Sequence, residues 1–292
     1  MQLLLFEKAA ERQVVPFRGQ LLKWVGNKQR LAHQIVSFFP ANVGRYYEPF
    51  LGSGAVLATL KPEGALGSDT FRPLMEIWQA LKDKPQTLVE WYTARWRQMQ
   101  SGDKVAEYER VKASYNAHPN GADLLFLCRA CYGGVVRFRQ NDGYMSTPCG
   151  VHSPIAPDVF AARVAEWHRR TAGAQFQVMS YDEAMSRAES GDLVYCDPPY
   201  AHSQSILYGA QAFDFAHLLD VIAACKQRGV RVALSMDGSK RSGALLCDLP
   251  IPTGLFEREV FLNCGRSMLK RFQMQGRTLE EEVVSDRLLL TY

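Results

Sequence analysis

Short apolar runs and glycine loops alternate in the first third of the chain. An amphipathic pattern predicts a helix over residues 29–39, and residues 45–49 predict a short strand. The glycine loop at 52–54 predicts the start of a helix that runs through Leu60, and residues 65–69 predict a second strand that ends in an acid. Strand, glycine loop, helix, strand and acid in this order are typical of a βαβ nucleotide-binding unit.

Apolar runs of strand length return near the other end of the chain. They cover residues 193–196, 230–235 and 287–292, and each run fits a strand buried in a sheet. The sequence therefore predicts an α/β fold with a Rossmann-like sheet, which is built from residues 16–82 and 175–292.

Residues 83–174 have a different pattern and predict an inserted, mostly helical module. Asn141-Asp142-Gly143 is a turn signal between two extended arms, so a β-hairpin is predicted inside this module. The proline-rich stretch at 153–157 is typical of a linker. The sheet is thus expected to come from both ends of the chain, around the insert.

Composition narrows the class of protein only moderately. The 292 residues are 47% hydrophobic and 22% charged, with a formal net charge of +4, as in ordinary globular proteins. No apolar run approaches the ~20 residues of a membrane span, and the N-terminus lacks a secretory pattern. Cys128 and Cys131 are two of seven cysteines, but no second pair completes a zinc set, so we expect no metal and reduced thiols in the cytoplasm.

The strongest chemical signal is Asp197-Pro198-Pro199-Tyr200, which directly follows the predicted strand at 193–196. Open α/β sheets bind ligands at the carboxyl ends of their strands. Two prolines stiffen the loop and remove two amide donors, so the Asp197 carboxylate and the Pro198 carbonyl can accept the hydrogens of an exocyclic amine. Tyr200 offers a flat face on which a base can stack. The motif predicts methylation of a nucleobase amine, although Asp-Pro is also a common start of a simple turn.

At this point the chain resembles the Dam-like family of DNA adenine-N6 methyltransferases, with the family's α order of motifs. The resemblance covers most of the chain and is strongest at both ends. It rests on several boxes in the family's order: Leu22-Lys23-Trp24-Val25-Gly26-Asn27-Lys28, Tyr47-Glu48-Pro49-Phe50-Leu51-Gly52-Ser53-Gly54, Ser180-Tyr181-Asp182, Asp197 to Tyr200, Gly265-Arg266-Ser267 and Leu288-Leu289-Leu290.

The resemblance implies S-adenosylmethionine as the methyl donor. It implies that Lys28 lies near the carboxylate of the donor, and physically Trp24 can pack on the methionine portion. Asp69 can bind ribose hydroxyls, and Asp182 is expected to face the adenine amine or to cap a helix. The full set of expected cofactor-binding residues is Trp24, Lys28, Glu48, Pro49, Phe50, Gly52, Gly54, Asp69, Asp182 and Asp197.

The insert lies where the family keeps its target-recognition module, which implies double-stranded DNA as the partner. Arginines and aromatic residues alternate there and are suited to phosphates and base edges. The expected DNA-binding residues are Arg129, Tyr132, Arg137, Arg139 and Asn141, with Arg266 and Ser267 from the later box. We expect a monomer or weak dimer without membrane contact, and a cognate restriction nuclease is compatible with the sequence. Members that read GATC usually carry an Asn-rich stretch ending in an FN-x-P box; here Tyr144-Met145-Ser146-Thr147-Pro148 replaces it, which puts GATC recognition in doubt.

Other functions are compatible with parts of this pattern. Methylation of cytosine N4 or of an RNA adenine needs similar acceptors, whereas enzymes that methylate protein glutamine more often carry Asn-Pro-Pro-Tyr. A DNA-binding module with inactive chemistry is a further alternative, although the motifs are intact. A nicotinamide-dependent Rossmann enzyme is a weaker one, because the loop at 52–54 lacks the full GxGxxG spacing.

Overall fold

A computed structural model describes residues 13–139, 141–199, 213–237, 239–240, 245–246, 251–266 and 283–292. Its main sheet has seven strands in the order β3-β2-β1-β4-β5-β9-β8. The strands are β1 Tyr46–Glu48, β2 Ala65–Asp69, β3 Ala174–Val178, β4 Leu193–Cys196, β5 Arg231–Asp237, β8 Arg258–Arg266 and β9 Val283–Leu290; β6 Ser239–Lys240 and β7 Leu245–Leu246 form a separate pair.

Strand direction decides which residues meet at which edge of this sheet. Strands β1 to β5 are parallel to one another, whereas β9 runs antiparallel to both β5 and β8. The early residues of β9 therefore lie at the same edge as the carboxyl ends of β1, β2 and β4. In the register of β5 and β9, Asp286 lies opposite Asp237.

The apolar runs become central strands because the sheet is covered on both faces. All residues of β2 and β4 are buried. Successive residues of one strand enter different cores: Tyr46 packs in the core on one face and Tyr47 in the core on the other. Burial on both faces explains why residues 65–67 and 193–196 form runs without a polar position at every second residue. The predicted α/β, Rossmann-like fold is confirmed.

The helices follow the sequence pattern with shifts at their ends. A 3₁₀ turn at Lys28–Arg30 precedes α1, and Asn27 caps this turn through its side chain, which accepts a hydrogen bond from the amide of Gln29. The predicted helix over 29–39 is thus a turn plus a shorter helix. The helices are α1 Ala32–Ser37, α2 Ala55–Leu60, α3 Arg72–Asp83, α4 Pro85–Ser101, α5 Lys104–Ala117, α6 Gly121–Ala130, α7 Pro157–Arg170, α8 Tyr181–Ser186 and α9 Phe215–Gln227.

The predicted insert is mostly helical in the structure, with α4 to α7 and a hairpin between α6 and α7. Phe138 and Met145 pair as an isolated antiparallel bridge across this hairpin. One apolar core joins the insert to the sheet, since it contains Tyr46 of β1 together with Tyr92 of α4 and Trp167 of α7. The core shows no break at residues 83 and 174, so the domain boundary there stays a prediction.

Two kinds of structural feature are absent from the described residues. No helix among them is long and apolar enough to cross a membrane. No group of three or more His, Cys, Asp or Glu side chains among them could hold a metal ion.

Candidate active site

A cleft of about 370 Å³ opens at the carboxyl edge of the parallel strands. Its volume falls within the ~300–1,000 Å³ typical of small-molecule sites. Glu48 ends β1, Asp69 ends β2 and Asp197 follows β4, and all three line the cleft. The sheet topology therefore gathers three carboxylates from distant parts of the chain in one place, as expected for ligand sites of open α/β sheets.

Asp197 and Lys28 form an ion pair in this cleft. The Nζ of Lys28 lies 2.9 Å from Oδ1 of Asp197 and 3.5 Å from Oδ2 of Asp286. Lys28 is only 6% exposed. Burial on its own would lower the pKa of the Lys28 ammonium, but the negative charges of Asp197 and Asp286 outweigh it and leave that pKa raised. Lys28 is therefore charged at all physiological pH values, and it holds the carboxylate of the Asp-Pro-Pro-Tyr motif.

Two more residues of the Asp-Pro-Pro-Tyr motif, Pro198 and Pro199, are described. Pro198 is buried, and Pro199 lines the cleft together with Asp197. The prediction for Tyr200 lies outside the described residues. The motif thus places Asp197 and Pro199 in the cleft wall, and the stiffness expected from the two prolines stays a prediction.

Glu48 is the most deeply buried acid of the cleft, with 3% exposure. Its Oε2 accepts hydrogen bonds from the hydroxyl of Tyr46 at 2.7 Å and from the amide of Leu57 at 2.9 Å. Burial raises the pKa of Glu48 to about 8, and the charge of Asp197 adds to this, although the two hydrogen bonds oppose it. The cleft therefore holds one carboxyl that titrates near neutral pH.

The glycine loop lies against Trp24. Gly52 has a φ of +46°, and a Cβ there would come within 3.2 Å of the Trp24 ring. Gly54 has a φ of +59°, and a Cβ there would meet the Trp78 ring at 2.8 Å. Gly52 therefore keeps the backbone close to a ring that lines the cleft, whereas Gly54 makes room for a core tryptophan.

The two aspartates expected at the donor's adenosine differ in position. Asp69 is almost buried at the end of β2, where it accepts hydrogen bonds from the amides of Gly52 at 3.4 Å and Phe71 at 3.0 Å. Asp182 is exposed in the first turn of α8, and it is not part of the cleft wall. A hydrogen bond from Ser180 lowers the pKa of Asp182. The position of Asp182 fits the alternative of a helix-end role better than a ligand contact.

Aromatic residues complete the cleft, and sequence reasoning missed most of them. Phe50, a predicted residue, stacks on Tyr181 with ring centroids 5.2 Å apart, and Phe213 meets both rings edge-on. Pro49 also lines this wall. Tyr181 belongs to the Ser180-Tyr181-Asp182 box but was not predicted to bind the cofactor, because an aromatic residue at a helix start carries no signal that separates core packing from ligand contact.

Four of the predicted DNA-binding residues lie exposed on or beside the hairpin: Tyr132, Arg137, Arg139 and Asn141. The guanidinium of Arg139 stands 4.1 Å from the centroid of the Tyr144 ring and 3.4 Å from the carboxylate of Asp142. The backbone of the hairpin is fixed by hydrogen bonds from Arg139 N to Tyr144 O and from Ser146 N to Arg137 O, both 2.9 Å. The hairpin is thus an ordered element with exposed basic side chains.

The prediction for Arg129 is wrong. Its side chain is 5% exposed, and its Nη1 donates to the backbone carbonyls of Gln20 at 3.1 Å and Leu21 at 2.7 Å. A guanidinium held inside the protein in this way cannot reach a phosphate or a base. Arg266 ends β8, but its side chain is not described, and Ser267 lies outside the described residues.

The hairpin lies directly beside the cleft. Phe138 of the hairpin contacts Phe71 with ring centroids 5.7 Å apart, and Phe71 in turn lies 6.2 Å from Trp24. Lys23 packs against Gly134, since a Cβ at Gly134 would come within 2.7 Å of its side chain. A long ligand on the basic hairpin could therefore extend to the mouth of the cleft.

Comparisons with known proteins agree with this geometry. The model of the D12 class N6 adenine-specific DNA methyltransferase family matches residues 24–259, and the chain belongs to this family. The Type II methyltransferase M1.LlaDCHI of Lactococcus lactis subsp. cremoris is 25% identical over 248 residues, 78% of this chain and 84% of that protein. A DNA adenine methylase of Vibrio cholerae is 29% identical over 227 residues, 73% of this chain and 79% of the relative. A DNA adenine methylase of Escherichia coli strain K12 is 26% identical over 226 residues, with coverages of 73% and 79%.

Membership in this family implies a methyl donor and an enzyme that acts on adenine in DNA. The resemblance drawn from the sequence motifs is thereby confirmed. The individual residue roles within the cleft stay predictions.

Proposed function

We propose that this protein transfers a methyl group from S-adenosylmethionine to the N6 amine of adenine in double-stranded DNA, in the cytoplasm. The observation that carries the proposal is the position of Asp197. Its carboxylate is held by Lys28 at 2.9 Å in a cleft at the carboxyl edge of the sheet, next to an exposed basic hairpin. The relatives named as DNA adenine methylases support the same substrate.

The cleft fits S-adenosylmethionine in size and in the chemistry of its walls. Asp69, at the end of the second strand, offers a carboxylate suited to ribose hydroxyls, and the rings of Phe50 and Tyr181 offer faces suited to an adenine. Gly52 lets the loop backbone approach the bound molecule closely beside Trp24. When bound, S-adenosylmethionine supplies an electrophilic methyl group on a sulfonium.

The Asp-Pro-Pro-Tyr loop would hold the target amine. Lys28 binds Oδ1 of Asp197, so the carboxylate is fixed in orientation and can accept an amine hydrogen through its other oxygen. The Pro198 carbonyl is the second acceptor, and Tyr200 is the expected stacking platform. Held in this way, the amine nitrogen directs its lone pair into the cleft. Asp197 then takes up or passes to water the proton that the nitrogen releases, and orientation supplies much of the acceleration.

The hairpin would hold the DNA. A base within a duplex cannot reach a recessed carboxylate, so the adenine must leave the stack. Arg137 and Arg139 are exposed and suited to phosphates or guanine edges, and Tyr132 and Asn141 can add base or sugar contacts. The contact between Phe138 and Phe71 keeps this surface next to the cleft.

The experiment treats unmethylated duplex DNA with the protein and S-adenosylmethionine, and identifies the modified nucleoside by mass spectrometry. We expect N6-methyladenine, at least ~100-fold less with Asp197→Asn, and no change with Asp220→Asn, an exposed aspartate of α9. N4-methylcytosine as the product, or methylation of RNA alone, would overturn the proposal. Sequencing that detects modified bases in the same DNA would give the recognition site.

A further inference from the structure

Lys28 forms ion pairs with two carboxylates, those of Asp197 and Asp286. Asp197 belongs to a sequence motif, whereas Asp286 does not. It lies on β9, two strands away from the strand that delivers Asp197, and its side chain is 14% exposed. It reaches the cleft region because β9 runs antiparallel to β5, which brings its early residues to the carboxyl edge of the parallel strands. Its Oδ2 lies 3.5 Å from the Nζ of Lys28.

Lys28 is therefore shared between two carboxylates. In their ordinary charged forms the three groups carry one positive and two negative charges, which leaves one net negative charge at the end of the cleft. With Asp197 alone, the buried ammonium would be matched one to one and would neutralise the carboxylate that must accept the amine. Because low-dielectric surroundings strengthen each interaction, a second partner for the ammonium matters more here than at a surface.

We propose that Asp286 is a positioning residue for methyl transfer: it shares the Lys28 ammonium with Asp197, and so fixes the Asp197 carboxylate while leaving it a strong acceptor for the target amine. This inference rests on the proposed function. It has a second consequence for ligand binding, because the net negative charge favours a cationic sulfonium over a neutral thioether of the same shape.

The first experiment measures single-turnover methyl transfer at saturating DNA and donor. We expect Asp286→Asn to lower the rate about 10- to 100-fold, the scale on which a misplaced reacting group slows catalysis, with DNA affinity within about threefold of wild type. Asp286→Glu keeps the charge and should restore part of the rate. Glu259→Gln is the matched control. Glu259 of β8 lies 2.5 Å from Arg287, the residue that follows Asp286 on β9, and it is not one of the carboxylates paired with Lys28, so this variant should keep the wild-type rate.

A double-variant test separates positioning through Lys28 from a merely structural role. In a Lys28→Met background, Asp286→Asn should cause no further loss of rate, because Asp286 then has no ammonium to hold. An undiminished loss in that background would overturn the proposal, as would a wild-type rate for Asp286→Asn in the normal background. Circular dichroism and urea unfolding of each variant show whether it is folded.

The second experiment does not require activity. Calorimetry compares binding of S-adenosylmethionine with that of S-adenosylhomocysteine, its neutral thioether counterpart. Asp286→Asn should weaken the first relative to the second by about threefold or more, whereas Glu259→Gln should leave the ratio unchanged. If the wild type methylates no adenine, the proposed function fails. If Asp286→Asn leaves the ratio of the affinities for S-adenosylmethionine and S-adenosylhomocysteine unchanged, the proposed role of Asp286 fails independently.

Discussion

Replacing Glu48 by glutamine tests the electrostatics of the cleft without relying on catalysis. Burial raises the pKa of Glu48 to about 8, against an ordinary value of 4.5. Between these two pH values the folded protein keeps a proton that the unfolded chain has released. The contribution of Glu48 to stability is therefore fully present below pH 4.5 and is lost as pH rises toward 8, at ~1.4 kcal/mol per pH unit.

Glutamine removes this titration and keeps the shape. Its amide oxygen can accept the two hydrogen bonds that Tyr46 and Leu57 now donate to Glu48. The free energy of unfolding of Glu48→Gln, relative to wild type, should therefore rise by about 4 kcal/mol between pH 5 and pH 8. Urea unfolding followed by circular dichroism at pH 5, 6, 7 and 8, with no methyl donor added, measures this difference directly.

Two comparisons sharpen the experiment. Glu63→Gln removes an exposed carboxylate just before β2, and its difference from wild type should stay nearly constant over the same pH range. Asp197→Asn removes a neighbouring negative charge that raises the pKa of Glu48, so in that background the total effect of Glu48→Gln between pH 5 and pH 8 should become smaller. If the difference between Glu48→Gln and wild type varies by less than about 1 kcal/mol from pH 5 to pH 8, the reasoning from burial is refuted.

Three further variants test separate parts of the structure. Gly52→Ala introduces a side chain at a φ of +46°, 3.2 Å from the Trp24 ring, so calorimetry should show about tenfold weaker binding of the methyl donor. Wild-type affinity would contradict a close approach of this backbone to the donor. Arg137→Ala should reduce the magnitude of the slope of log DNA affinity against log salt concentration by ~0.9, as measured by fluorescence anisotropy. Arg169→Ala on α7 should leave this slope unchanged. The same slope for Arg137→Ala and the wild type would show that Arg137 makes no phosphate contact. Arg129→Met should destabilise the fold by about 2 kcal/mol in urea and leave the salt slope intact, since its guanidinium binds backbone carbonyls inside the protein.

How far the sequence predicts the fold depends on whether a strand is buried on both faces. The bounds of β2 and β4 agree with the prediction, because every residue of both strands is buried, Leu193–Cys196 is an unbroken apolar run, and the acid Asp69 marks the end of β2. Strand β3 was not predicted. It lies at the edge of the sheet, its burial alternates, and glutamines at 175 and 177 interrupt the apolar pattern. Strand β9 begins at Val283 instead of Arg287, because polar residues at 285 and 286 hide its first half.

The same limit applies to side chains that carry charge. Arg129 lies in a basic stretch with aromatic neighbours, and local sequence cannot distinguish it from Arg137. The structure separates them, since α6 directs Arg129 to the backbone at Gln20 and Leu21, more than a hundred residues earlier in the chain. A charge pattern indicates a DNA surface only where the element that carries it is exposed.

The candidate active site shows why motifs identify residues but not their partners. Lys28 and Asp197 were each selected from a short motif, and each had a separate expected role. Their ion pair arises because the turn at Lys28–Arg30 packs at the edge where β4 ends, and Asp286 joins them only because β9 is antiparallel. Three elements far apart in the chain thus bring Lys28, Asp197 and Asp286 together. If Asp286 positions Asp197 through Lys28 as proposed, a change that shifts β9 against β5 should alter the single-turnover rate of methyl transfer even when every motif residue is intact.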